Sequence, residues 1–167
     1  MKKIGLSFVA LALILSACNT AKEQKKDMNN PFFKEYTTPF QVPPFNEIKL
    51  EHFLPAIEAG ITDHLAEIKT ITDNKEEPTF ENTIQAFDES GLLLSRANLT
   101  FSNLNSANTD DQMQALAREI TPKITTHSDN IMLNKALFTR IKAVYDKRKE
   151  INLNPEQLRV TEKYYED

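Results

Sequence analysis

Two short stretches decide how this sequence is read: Glu77-Pro78-Thr79-Phe80-Glu81-Asn82-Thr83-Ile84 and Ser106-Ala107-Asn108-Thr109. Between them Ile84, Phe87, Leu94, Phe101 and Leu104 recur at spacings that share one side of an α-helix. Thr79 stands where an N-cap belongs, with a hydroxyl able to accept from a free first-turn amide. The pattern predicts one long amphipathic helix that opens at Thr79 and runs to about Asn105.

The same period continues on both sides. Upstream, Phe53, Ile57, Ile61, Leu65, Ile68 and Ile71 make one apolar face, ended by Asp73-Asn74-Lys75-Glu76-Glu77-Pro78. Pro55 falls in the first turn, where a missing N–H costs little. Gly60, in the middle, marks a place for close helix packing. Downstream, Thr109-Asp110-Asp111-Gln112 has capping-box spacing. It predicts a third helix burying Met113, Leu116, Ile120, Ile124 and Ile131, with a kink at Pro122. Asn134 opens a fourth helix carrying Phe138, Ile141 and Tyr145. Asn154-Pro155-Glu156-Gln157 opens a fifth with Leu158, Thr161, Tyr164 and Tyr165. Only three glycines, no tryptophan and no strand pair with a hairpin turn argue against a sandwich or barrel. The predicted class is all-α: a bundle of antiparallel helices joined by short loops.

The first residues carry a different signal. Lys2 and Lys3 precede an apolar run from Ile4 to Leu15, too short for a membrane span of about 20 residues. Leu15-Ser16-Ala17-Cys18 has the form of a lipobox. The alternative is an ordinary signal peptide with an incidental cysteine. Cys18 is the only cysteine, so no intrachain disulfide is possible. The predicted organisation is therefore a leader over 1–17, then a lipidated Cys18 with tether and strap over 18–43, then a helical domain over 44–167 that is truncated within or just after a helix. Asn19 to Asn30 reads as a polar tether. Phe32, Phe33, Tyr36, Phe40, Val42 and Phe45, set among Pro31, Pro39, Pro43 and Pro44, predict an extended strap across the helical body. An aromatic ligand-binding strip is the functional alternative for those residues. The anchor predicts a place in the bacterial cell envelope.

Net charge is −4, and loss of the two leader lysines makes it more negative still. No basic stripe exists to bind nucleic acid. Asp146-Lys147-Arg148-Lys149-Glu150 is mixed in sign and reads as a helix surface. His52, His64 and His127 are the only histidines, and no His-Glu-x-x-His occurs. His64 and Glu67 share a helical face, but two ligands do not make a zinc site, and a solvated face is the expectation. Glu76 and Glu77 are expected to sit solvated near the positive end of a helix. Ser95 has no histidine at a suggestive spacing. No catalytic or metal residue is therefore assigned in this chain; the single modified residue assigned is Cys18.

The order of motifs resembles the N-terminal region of the thimet oligopeptidase and peptidyl-dipeptidase family of zinc metallopeptidases. The resemblance rests on Pro43-Pro44-Phe45-Asn46-Glu47-Ile48 and Glu51-His52-Phe53-Leu54-Pro55-Ala56, then on the two opening stretches. Asn134-Lys135-Ala136-Leu137-Phe138 and Pro155-Glu156-Gln157-Leu158-Arg159 complete it. Within the family the bacterial dipeptidyl carboxypeptidase branch is the nearest in likeness. The resemblance implies a two-lobed helical fold around a channel for short peptides, with a zinc held by two histidines and a glutamate. It implies that these residues form the first helices of the non-catalytic lobe, inactive without the missing C-terminal catalytic region. The zinc would belong to the full-length parent and not to this fragment. The lipobox departs from the soluble intracellular members and points to peptide scavenging in the envelope. The competing expectation is a stand-alone helical lipoprotein that binds peptides or a protein partner without catalysis.

Overall fold

The computed structural model describes residues 29–167. The leader, Cys18 and the tether up to residue 28 lie outside the described residues. The described chain is all-α, with no strand among these residues. Its helices are α1 (Phe53–Asp73), α2 (Ala86–Asp88), α3 (Leu92–Ala107), α4 (Asp111–Met132), α5 (Lys135–Lys147) and α6 (Pro155–Glu166). Single 3-10 turns stand at Pro31–Phe33, Pro39–Gln41 and Leu50–His52.

The contacts give the topology. His64, Gly60 and Phe53 of α1 face Gly91, Leu94 and Phe101 in turn, so α3 runs antiparallel to α1. Glu58 and His64 meet Lys123 and His127, so α4 runs parallel to α1. Arg148 reaches Glu162 while Tyr145 stacks on Tyr165, which makes α5 and α6 antiparallel. That stack is close, with ring centroids 3.7 Å apart, and it continues through Phe138 on one side and the Arg148 guanidinium over Tyr145.

Burial follows the sequence stripes and divides into two cores. The first gathers Phe32, Phe53, Ala56, Ile57, Leu94, Ala97, Phe101 and Ile120. The second gathers Ile68, Ile71, Phe80, Ile84, Ile131, Leu137, Ile141 and Val144. Only α1 and α4 place buried residues in both. Gly60 shows why its position allows no side chain: a Cβ there would lie 2.7 Å from the backbone N and Cα of Leu94. Gly60→Ala would gain about 1 kcal/mol of helix propensity. It must also push two helix backbones apart, which costs about 3 kcal/mol or more. A net loss of about 2 kcal/mol is expected, read as a lowered midpoint in urea denaturation.

The long helix expected from Thr79 to Asn105 is broken. Thr79 does cap, accepting from the Asn82 N–H at 3.1 Å while Asn82 Oδ1 accepts from the Thr79 N–H at 2.9 Å. The following turns are wide, a π-helix over Phe80–Gln85 that runs into α2. The chain then turns at Glu89–Gly91 before α3 starts. Gly91 has φ +70°, the left-handed region open to glycine, and a Cβ there would also meet the His64 ring at 2.8 Å. The break has a packing reason. The segment before it packs into the second core and α3 into the first, and the Gly91 turn redirects the chain from one to the other.

Three further expectations change. The strap is pinned at one end only: Phe32 is fully buried, whereas Phe40 is 99% exposed and Val42 and Phe45 are exposed. Asn30, expected in the polar tether, is buried, with its Oδ1 accepting from the Phe32 N–H and its Nδ2 donating to His52 O. The cap of α4 is Asp110, which accepts from the Met113 N–H at 2.7 Å, and not Thr109, whose hydroxyl donates to Asn105. Pro122 lies inside α4, and the helix continues through it.

Candidate functional site

Two features of the described residues bear on function: a polar seam between the two cores and an apolar hollow beside α5 and α6. The seam is built by α1, the Ser90-Gly91 turn and α4. His64, halfway along α1, places its Nδ1 2.9 Å from His127 Nε2 and its Nε2 3.0 Å from Ser90 Oγ. Ser90 Oγ lies 2.7 Å from Phe87 O. One turn further along α1, Glu67 accepts the Gly91 N–H at 2.7 Å. Glu67 stays exposed, as a solvated face requires, while His64 is partly buried and bonded to both neighbours. A negative side chain here satisfies an N–H at the start of α3.

The proton positions follow from donor counting. A carbonyl cannot donate, so the Ser90 hydroxyl gives its one proton to Phe87 O. His64 Nε2 must then carry a proton and donate to Ser90 Oγ. In the neutral imidazole Nδ1 is bare and accepts from His127 Nε2–H. That leaves His127 Nδ1 as a bare, buried nitrogen with no partner among the described residues. Burial holds both imidazoles below their ordinary pKa, with Glu67 opposing the shift at His64 and the neighbouring ring adding to it at His127. This arrangement does not activate a nucleophile. Ser90 has already given its proton to the backbone, and His64 faces it with a donor rather than a base.

The zinc that the resemblance implies does not fit these residues. Among the described residues no three of His, Cys, Asp or Glu come together as a metal cluster. The facing nitrogens of His64 and His127 are bonded to each other, and Glu67 is engaged by Gly91. His52 stands apart, its Nδ1 accepting from the Lys49 N–H. Ser95 lines a small hollow with His64 and His127, yet Ser90 is the serine that reaches a histidine. No spacing in the sequence flags that pair, because the Gly91 turn brings Ser90 back across α1. Glu77 is exposed as expected, and its hydrogen bond from Lys147 holds its carboxyl below the ordinary range.

The apolar hollow has a volume of about 710 Å³ and is lined by Phe87, Ile131, Met132, Leu137, Phe138 and Tyr165 among others. Met132, Leu133 and Phe138 are exposed there or beside it, so Phe138 is no core residue of α5. No helix among the described residues is long and apolar enough to cross a membrane.

No protein-family model matches the chain. Individual relatives do. Dipeptidyl carboxypeptidases of Escherichia coli K12 and Salmonella typhimurium LT2 are each 35% identical over 133 residues, 80% of this chain. Oligopeptidase A of Escherichia coli K12 is 24% identical over 140 residues, 84% of this chain. In every case the chain spans 20% of the relative's length. The resemblance read from the motif order is borne out.

Proposed function

We infer, from a likeness that puts this chain in one family with the dipeptidyl carboxypeptidases and oligopeptidases A, that its residues form a non-catalytic helical part of a zinc peptidase. The whole protein would cleave short peptides and release dipeptides from their C-termini. Zinc and the water-activating glutamate would be supplied by residues beyond those given, since none of the described residues fits that role. The single observation that carries the reading is the identity to the dipeptidyl carboxypeptidases across most of the described helices. The exposed apolar residues around the hollow support it, because a face of that kind suits burial against further protein. The Leu15-Ser16-Ala17-Cys18 stretch supports a lipid anchor in the cell envelope.

The test uses the native protein. It is captured from its own cells with an antibody raised against residues 29–167, then given short blocked peptides. A chain much longer than 167 residues is expected, releasing C-terminal dipeptides in a reaction that a chelator abolishes and added zinc restores. The purified 167-residue chain is expected to release none. A native protein of this length with no peptidase activity would overturn the reading in favour of a stand-alone binding lipoprotein.

A further inference from the structure

We propose that the Ser90–His64–His127 chain is a proton-operated joint between the two cores: neutral imidazoles hold α1 against α4, and acidification loosens this seam while the cores on either side stay folded.

The position of the pair is the first argument. On α1, Ile57 belongs to the first core and Ile68 to the second, with His64 between them. On α4, Ile120 belongs to the first and Ile131 to the second, with His127 between them. The two helices that pass through both cores are thus bonded to each other where one core gives way to the next. Ser90 adds the turn that separates the second-core segment from α3.

Proton bookkeeping is the second argument. Every donor in the chain points one way, from His127 to His64 to Ser90 to Phe87 O, so His64 must be neutral to donate and accept at once, while a charged His127 keeps its bond only by burying an Nδ1–H without an acceptor. A proton added to His64 Nδ1 puts N–H against N–H unless His127 shifts its own proton to Nδ1. That atom is buried and has no partner to accept it. A second proton leaves two cations in contact.

The surroundings do not offset this. From α1, Glu67 is the carboxylate whose charge favours a proton on His64, and it is already bonded to the Gly91 amide. Glu58 and Lys123 border the hollow on the other side of His127 and pair with each other at 2.8 Å. The α2–α3 turn contributes Ser90 and Gly91, and α3 contributes Leu94, Ser95 and Asn98, none of them charged. The sign follows. Both folded-state pKa values lie below the ordinary 6.5, so the seam is fully stable above pH 6.5. It weakens as pH falls below 6.5, because the opened state takes up protons that the closed one refuses.

Hydrogen exchange on the full chain at pH 7.5 and pH 5.5, corrected for intrinsic rates, tests the joint. Segments 61–67, 88–93 and 123–130 are expected to exchange about tenfold faster at the lower pH, the effect of one histidine refused a proton one unit below its ordinary pKa. Segments 53–59 and 137–144 should be unchanged. The double variant His64→Gln/His127→Gln retains hydrogen bonding without proton uptake and should lose the difference, whereas His52→Gln should keep it. Imidazole NMR titration of the unmodified protein provides a reading that needs no variant, with both seam rings expected to titrate below the ordinary 6.5. Equal protection at the two pH values, a difference that survives in the double variant, or seam rings that titrate at the ordinary imidazole value would each overturn the proposal.

Discussion

Phe32→Ala is expected to remove about 4 kcal/mol of stability, a large share of what holds the chain folded. Phe32 has no exposed surface, and its ring packs on Phe53 with centroids 5.2 Å apart. Phe53 in turn contacts Phe101 edge-on, so three aromatic rings close the end of the first core. Truncating one of them loses its transfer energy and leaves a cavity that the rigid α1–α3 pair cannot collapse. The backbone around the ring is pinned as well. Asn30 accepts the Phe32 N–H, and the Arg96 guanidinium donates to Phe32 O while lying over the Tyr36 ring. Natural domains hold only about 5–15 kcal/mol in total, which is why this loss is severe. Phe40→Ala, a few residues on but fully solvent-exposed, is expected to change stability by less than about 0.5 kcal/mol. Urea denaturation of the two variants measures both. Equal midpoints would show that the segment before α1 is not part of the fold.

Arg140→Met is expected to cost about 3 kcal/mol, read by the same denaturation. Arg140 is buried on α5 and donates Nη1 to the carbonyls of Asn74 and Glu76, at 2.9 and 3.2 Å, and Nη2 to Asn82 Oδ1 at 3.0 Å. Asn74 and Glu76 belong to the link between α1 and the π-helix, and Asn82 to the π-helix itself. Asn82 Oδ1 also receives the Thr79 N–H and the Thr83 hydroxyl, and its Nδ2 donates to Glu77 O. Methionine fills much the same volume but abandons three acceptors in a partly buried site, each costing about 1 kcal/mol or more. Arg140→Lys should recover only part of the loss, because one ammonium cannot span acceptors that a planar guanidinium reaches together. Exchange should rise first at residues 74–85, where the freed link borders the second core.

The Arg140 network explains why the opening stretch of sequence was so informative. Thr79 was legible as a cap because that role depends on neighbours three residues away. Ile84 was legible as core from its spacing, whereas Phe80 lay outside the stripe and is placed in the core by the fold. Asn82 was not legible as a hub, since its main partner lies on a helix far along the chain and spacing carries no trace of that contact. The same limit applies at the seam. His64 and Glu67 are marked by their shared helical face, but His127 and Ser90 join them only through tertiary packing. The break at Gly91 was open to being read, since glycine after Glu89-Ser90 is a turn signal. The apolar period ran on past it and masked it. Helix starts at Asn134 and Asn154 were read correctly, because each side chain accepts the first amides of its own helix.

The column formed by Arg148, Tyr145, Tyr165 and Phe138 has an optical consequence. The protein has no tryptophan and four tyrosines, so its near-ultraviolet emission and circular dichroism come from tyrosine. Tyr36 lies against the first core, while Tyr145, Tyr164 and Tyr165 lie in the part of the molecule built on the second. Two rings stacked almost face to face couple their transitions, and that dichroic signal vanishes once α5 and α6 part. Tyr164, burdened by burial and by its hydrogen bond to Asp88, resists ionisation and stays dark in an alkaline absorbance titration after ordinary phenols have responded. Each half of the bundle therefore carries its own native chromophore, and the order in which they come apart is readable without a label.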